Sequence, residues 1–166
     1  MRPAYQAIQS VMEKRLPDYR WEVIFVDDGS VDNSAEVLDE LSAQDENCRV
    51  IELSRNFGKE IALSAGIDYA SGDAVICLDA DLQHPPERIP DMVLEWEKGN
   101  EVVEMVRGPS IHEPWLRRIG STFFYIILRL ISSTDILSKT TDFRLMDRKV
   151  VDAFCEVEER QRMFRG

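Results

Sequence analysis

Hydrophobic positions along the chain switch repeatedly between a helical and an extended period. Ala4, Ile8, Val11 and Met12 fall on one helical face and predict a helix over residues 4–15 that stops near Pro17. Trp21–Val26 is a short apolar run bounded by turn residues and reads as a strand. Ser34, with Glu36 and Val37 behind it, opens a helix to about Gln44, and Arg49–Leu53 returns as a strand. Gly58–Tyr69 reads as a helix halted by Ser71-Gly72, and Ala74–Leu78 as a buried strand. After Pro85-Pro86 a helix covers roughly Glu87–Lys98, Gly99-Asn100 turns it, and Glu101–Val106 is strand-like. The remaining elements are a long apolar helix over Pro114–Ile131, a short strand over Phe143–Met146 and a last helix over Lys149–Glu156. Strands alternating with helices predict an α/β sandwich around a mostly parallel sheet with right-handed crossovers. No repeat or low-complexity linker interrupts it, so one domain over residues 1–166 is expected.

Two predicted strands end in acidic clusters. Asp27-Asp28-Gly29-Ser30 follows Val23–Val26, and Asp79-Ala80-Asp81 follows Ala74–Leu78 inside the run GDAVICLDADLQHPPE. Ligands of open α/β sheets bind outside the C-terminal ends of the strands, which puts both clusters on one edge. Carboxylates two apart at such an end can share a hard divalent cation, and Mg²⁺ takes one or two carboxylates together with substrate phosphates. The obvious ligand is a diphosphate. Each cluster also has a plainer reading. Asp27-Asp28-Gly29-Ser30 suits an acidic turn in which Gly29 supplies positive φ and Ser30 or Asp32 caps the next helix. Asp79-Ala80-Asp81 suits a solvated loop ahead of Pro85-Pro86, and a lone D-x-D would arise by chance on the order of once in a chain this acidic.

Composition narrows the alternatives. The chain has 31 acidic and 20 basic residues, a formal net charge of −11, which argues against a nucleic-acid binder because phosphate backbones need a basic face. Basic residues nevertheless outnumber acids from Arg107 to Arg129, and Arg160, Arg162 and Arg165 crowd the end, so a local anion site is open. Cys48, Cys77 and Cys155 form no C-x-x-C or zinc spacing, fit a reducing compartment, and Cys77 reads as a small buried hydrophobe. Residues 1–15 lack the apolar segment of a signal peptide. Phe123–Ile131 is interrupted by Arg129 and is far shorter than the about 20 residues of a spanning helix.

Four segments taken together, VDDGSVD (26–32), LSRNFGKEIALSAGIDYASGD (53–73), LDADLQHPPE (78–87) and TDFRLMDR (141–148), resemble the GT-A-type inverting glycosyltransferases that use polyprenyl phosphates. That family includes the dolichyl-phosphate mannosyltransferases and the undecaprenyl-phosphate glycosyltransferases, and the resemblance runs in order from about residue 21 onward. It implies a GT-A-like three-layer sandwich, a UDP- or GDP-linked sugar donor, a polyprenyl phosphate acceptor, Mg²⁺ or Mn²⁺, and work at the cytoplasmic face of a membrane. Family members open with an apolar strand ending in a P-x-Y-N-E-like motif that has no counterpart here, and many continue into transmembrane helices. A catalytic domain truncated at both ends is therefore expected, with the first strand missing from its sheet and backbone groups left exposed there.

The resemblance also implies roles. Asp28 would contact the nucleotide, with Asp27, Ser30, Lys59 and Asp79 beside it. Asp79, Asp81 and Gln83 would form the metal site, for instance through the Asp81 carboxylate, the Gln83 carbonyl oxygen and two diphosphate oxygens, with Asp79 coordinating through its backbone or binding the ribose. Arg107, Arg117 and Ser121 match the family's acceptor-phosphate contacts, and Arg117 and Arg118 can exchange roles or be surface charge. Lys59 follows a Gly at a helix start, where N–H groups favour anions; a cap with a solvated lysine explains it equally well. Asp142, with Asp81 the expected catalytic carboxylate, would orient the acceptor or a sugar hydroxyl, since a phosphate monoester is already largely dianionic at neutral pH, with classical base action as the second role open to it. Arg144 would help hold that phosphate, because guanidinium groups offset the Coulomb cost of bringing it to a diphosphate; an Asp142–Arg144 salt bridge is the plainer reading. His84 reads as a loop residue that shapes the pocket.

Trp115, Ile119, Phe123, Ile126, Ile127 and Leu130 form a stripe that is either core or, with Arg117, Arg118 and Arg129, an interfacial membrane helix. Two rival functions remain at this point: a related transferase with a polysaccharide or protein acceptor, and a non-catalytic nucleotide-binding or scaffolding fragment.

Overall fold

A computed structural model of the chain describes residues 1–106 and 140–156. The chain divides into two compact units, one of Met1–Val103 with Asp142–Gly166, the other of Glu104–Thr141. Along the chain run α1 (Arg2–Arg15), β1 (Val23–Asp27), α2 (Ser34–Gln44), β2 (Cys48–Glu52), α3 (Lys59–Tyr69), β3 (Ala74–Cys77), a 3₁₀ turn (Pro86–Arg88), α4 (Ile89–Glu97), β4 (Val102–Val106), β5 (Thr140–Asp147) and α5 (Arg148–Cys155).

The α/β class holds, with one parallel and one antiparallel pairing where a mostly parallel sheet is expected. β1 and β2 pair in parallel, Val23 opposite Cys48 through Asp27 opposite Glu52. A separate sheet has the order β3-β5-β4, and β3 pairs with β5 antiparallel, Ala74 opposite Asp147 through Cys77 opposite Arg144. Every predicted element within the described residues forms, with the first strand starting at Val23 rather than Trp21 and two others changing in extent. β5 exceeds the expected Phe143–Met146, because its pairing extends over Asp147 and the backbone N–H of that residue also bonds to Glu101 O at 2.8 Å. The helix expected from Glu87 begins instead as the 3₁₀ turn, and the α-helix proper starts at Ile89. The helix expected over Pro114–Ile131 lies outside the described residues.

Two apolar clusters among the described residues help to hold the first unit. Tyr5, Phe25, Leu38, Leu41 and Cys48 join α1, α2, β1 and β2. Ile67, Cys77, Met146 and Val151 join α3, β3, β5 and α5, with Leu63 and Phe154 packed against them. α3 serves both sheets: a Cβ on Gly66 would lie 3.1 Å from Val26 Cγ2 of β1, while the next residue, Ile67, is buried in the second cluster. Cys77 is buried as expected, and burial pushes its thiol up to about 12. No helix among the described residues is long and apolar enough to cross a membrane.

Candidate active site

Acidic side chains are delivered to this edge by the ends of β1 and β3 and by β5. At the end of β1, Asp27 is buried and its Oδ1 accepts the Ser30 backbone N–H at 3.1 Å and the Ser30 hydroxyl, closing the turn. Asp28 reaches across to the loop after β2, where its two oxygens accept the N–H groups of Phe57 at 2.7 Å and Gly58 at 2.9 Å. Gly29 lets the two loops touch. Its φ is +70° and an added Cβ would lie 2.5 Å from the Arg55 carbonyl carbon, so no other residue fits without backbone movement.

Gly58, at φ +98°, is the N-cap of α3 and hands the chain to Lys59. The Lys59 ammonium sits between two carboxylates, 2.5 Å from Asp79 Oδ1 and 2.6 Å from Asp142 Oδ2. Burial disfavours its charge, but the hydrogen bonds to Asp142 and Asp79 outweigh that and raise its pKa above the ordinary lysine value. One lysine thereby joins the loop after β3 to β5. Asp142 is itself buried at 5% exposure, and strand alternation puts Arg144 on the same face of β5.

In the loop after β3, Asp81 Oδ1 accepts the Gln83 backbone N–H at 3.0 Å, and both side chains are exposed. Leu82 between them holds φ at +60°, the only non-glycine among the described residues with positive φ. Such strain persists where surrounding structure enforces it. His84 turns inward: it is 6% exposed, stacks on Phe143 with ring centroids 5.4 Å apart, and lies with Nδ1 3.9 Å from Asp79 Oδ2. The loops after β1, β2 and β3 each expose one large apolar residue, Val31, Phe57 and Leu82, and the Arg55 guanidinium lies 4.6 Å from the Phe57 ring centroid.

The sequence-predicted residues therefore fall into a connected line and an outlying pair. Asp28, Lys59, Asp79 and Asp142 are linked through the N-terminus of α3, with Asp27 and Ser30 bracing the first turn. Asp81 and Gln83 sit further out in the third loop, and no group of three or more His, Cys, Asp or Glu side chains among the described residues converges as a metal cluster. Arg107, Arg117, Arg118 and Ser121 lie outside the described residues. Sequence reasoning placed Lys59 beside a nucleotide and missed its grip on two carboxylates, which only the pairing of β3 with β5 brings together. His84 is a loop residue as expected, next to Pro85-Pro86, which restrict the local backbone; its burial against Phe143 is what the sequence does not show.

Acidic groups at the ends of β1 and β3, with the start of α3 between them, are consistent with a GT-A-like fold. The chain belongs to glycosyl transferase family 2, whose match covers residues 4–154. It is 43% identical over 98% of its length to the uncharacterized glycosyltransferase YkcC of Bacillus subtilis, covering 50% of that protein. An uncharacterized glycosyltransferase of Synechocystis is 44% identical over 88% of this chain, which covers 46% of it. The bactoprenol glucosyl transferase of Shigella phage SfV is 37% identical over 98% of this chain, which covers 52% of it. The chain thus spans about half the length of the curated relatives it matches.

Proposed function

We propose that this chain is the catalytic domain of an inverting glycosyltransferase that moves a sugar from a UDP- or GDP-linked donor to a polyprenyl phosphate at the cytoplasmic face of a membrane. The observation that carries this reading is the Lys59 ammonium held between Asp79 and Asp142, because it marks one point where a donor-side loop and an acceptor-side strand meet a cation. The name of the phage relative, a bactoprenol glucosyl transferase, supports a lipid-linked acceptor.

Mg²⁺ or Mn²⁺ belongs to this reading, and the donor chemistry fits: Asp79, Asp81 and Gln83 offer the hard oxygens such ions prefer. They supply part of a coordination sphere, since no three-ligand cluster converges among the described residues, and donor phosphates complete it. When bound, the ion neutralises charge on the departing diphosphate.

The chain's own residues do the rest. Asp28 braces the loop ahead of α3 through the Phe57 and Gly58 amides, so that the positive end of the helix and Lys59 face an incoming anion. Lys59 exchanges the Asp79 carboxylate for a diphosphate oxygen and keeps its contact with Asp142. Asp142 orients the acceptor phosphate or a sugar hydroxyl, and Arg144 beside it helps offset the repulsion between dianion and diphosphate. Attack from the side opposite the diphosphate inverts the anomeric centre.

The test is transfer of radiolabelled sugar with product extraction into organic solvent. Asp81→Ala is expected to lose at least about a hundredfold in turnover, since metal stabilisation of a leaving group is worth several kcal/mol. Its melting temperature falls little, because the side chain is exposed and gives up one hydrogen bond, from the Gln83 N–H. Wild-type-like turnover by this variant would overturn the assignment, and label that stays in the aqueous phase would move the acceptor to a polysaccharide or protein hydroxyl.

A further inference from the structure

His84 is a buried polar ring whose two nitrogens have no hydrogen-bond partner among the described residues. Leaving such atoms unpaired in a protein interior is costly, and folded proteins do it rarely. The ring is not free to leave, because it stacks on Phe143, the residue next to Asp142, and is anchored by Pro85-Pro86. Its Nδ1 points at Asp79 Oδ2 from 3.9 Å, about 1 Å beyond hydrogen-bond length. Asp79 is meanwhile held from the other side, by Lys59 on Oδ1 at 2.5 Å.

We propose that His84 is a positioning residue that takes over the Asp79 carboxylate when Lys59 is drawn to the donor diphosphate. This rests on the donor reading above. In the free protein Lys59 pulls Asp79 toward Asp142, and the gap to His84 stays open. With Lys59 engaged by phosphate, a small rotation of Asp79 brings Oδ2 onto the Nδ1–H of His84. Held through Oδ2, the carboxylate keeps a fixed orientation with Oδ1 turned to the donor side. The arrangement assigns the imidazole proton to Nδ1, the nitrogen that faces the acceptor oxygen. It also couples the two halves of the site, since the same ring rests on the side chain following Asp142.

Nitrogen NMR of labelled histidine tests this directly, because the sequence holds two histidines, His84 and His112, and His112→Gln assigns the spectrum. Lys59→Gln should produce a downfield, exchange-protected Nδ1–H resonance of His84 in the free protein, with no ligand present. UDP or GDP with Mg²⁺ should produce the same resonance in the wild type. His84→Phe keeps the stack and removes both unpaired nitrogens, so it should melt no lower than wild type yet bind the nucleotide about tenfold more weakly. His84 signals unchanged in both Lys59→Gln and the nucleotide-loaded wild type would overturn the proposal, as would wild-type affinity in His84→Phe. Should Lys59→Gln fail to fold, the wild-type nucleotide titration decides. If the wild type binds neither nucleotide, the donor reading fails, and the ligand-free Lys59→Gln spectrum still decides the role of His84.

Discussion

Glu22 illustrates how much a single carboxylate organises outside the site. Its oxygens accept the Ser71 N–H at 2.8 Å, the Ser71 hydroxyl at 2.6 Å and an Arg49 guanidinium N–H at 2.9 Å, tying the approach to β1 to β2 and to the turn before β3. Burial alone would raise its pKa, but the bonds from Ser71 and Arg49 outweigh that and hold it below the ordinary glutamate value. A depressed folded pKa contributes stability that is present above the unfolded value, about 4.3, and is lost as pH falls through the folded value. Glu22→Gln is therefore expected to cost about 1–2 kcal/mol at neutral pH, and its melting temperature should fall less than that of wild type on acidification below about pH 4.3. Asp142→Asn keeps the volume of the buried side chain and removes its charge. Its transfer rate should drop about a hundredfold while donor affinity, read by calorimetry, changes little. At this scale the acidic positions were legible because strand ends with Asp-Asp-Gly or Asp-x-Asp are marked in the sequence. The bridge from Lys59 to Asp79 and Asp142 was not, since it joins residues 20 and 83 positions apart whose approach depends on strand order.

Elements were readable where one period dominated. α1 carries Ala4, Ile8, Val11 and Met12 on its buried face as the spacing predicts, and β1 and β3 are continuous apolar runs. β5 runs past Phe143–Met146 at both ends, where Thr140, Thr141, Asp142 and Asp147 look like loop residues in the sequence; of these, Asp147 owes its place in the strand to pairing with Ala74 rather than to its own composition. The pairing direction was equally hidden, as alternation of strands and helices favours parallel neighbours and cannot announce that β5 returns antiparallel beside β3. The loop contact at Gly29 gives a sharp test of how these elements are set against each other. Gly29→Ala places a methyl 2.5 Å from backbone carbon and forces a non-glycine residue to φ +70°, so a loss of about 2–3 kcal/mol in chemical denaturation is expected. Nucleotide affinity should fall with it, since the loop that presents Lys59 must shift.

For the described unit as a whole, α3 is the piece that makes two sheets behave as one. Its Gly66 admits Val26 of β1 and its Ile67 fills the cluster beneath β3 and β5. Gly66→Leu should cost about 1–3 kcal/mol through overpacking, and hydrogen exchange should rise in β1 and in β3 together. Protection lost in β1 alone would mean that the two clusters unfold independently. The α/β class was legible because it follows from element order, while the division into a parallel pair and a three-stranded sheet with β5 antiparallel to β3 follows from pairings that no local pattern encodes.

The reach of Asp28 across to the amides of Phe57 and Gly58 carries a consequence for how such a domain diversifies. The turn after the first strand and the start of the third helix are fastened by both oxygens of one side chain, and the glycine beside it leaves no slack. Neither segment can be retuned alone: a change that suits a new donor in one must be answered in the other, so shifts of preference are expected to arrive as matched pairs of substitutions.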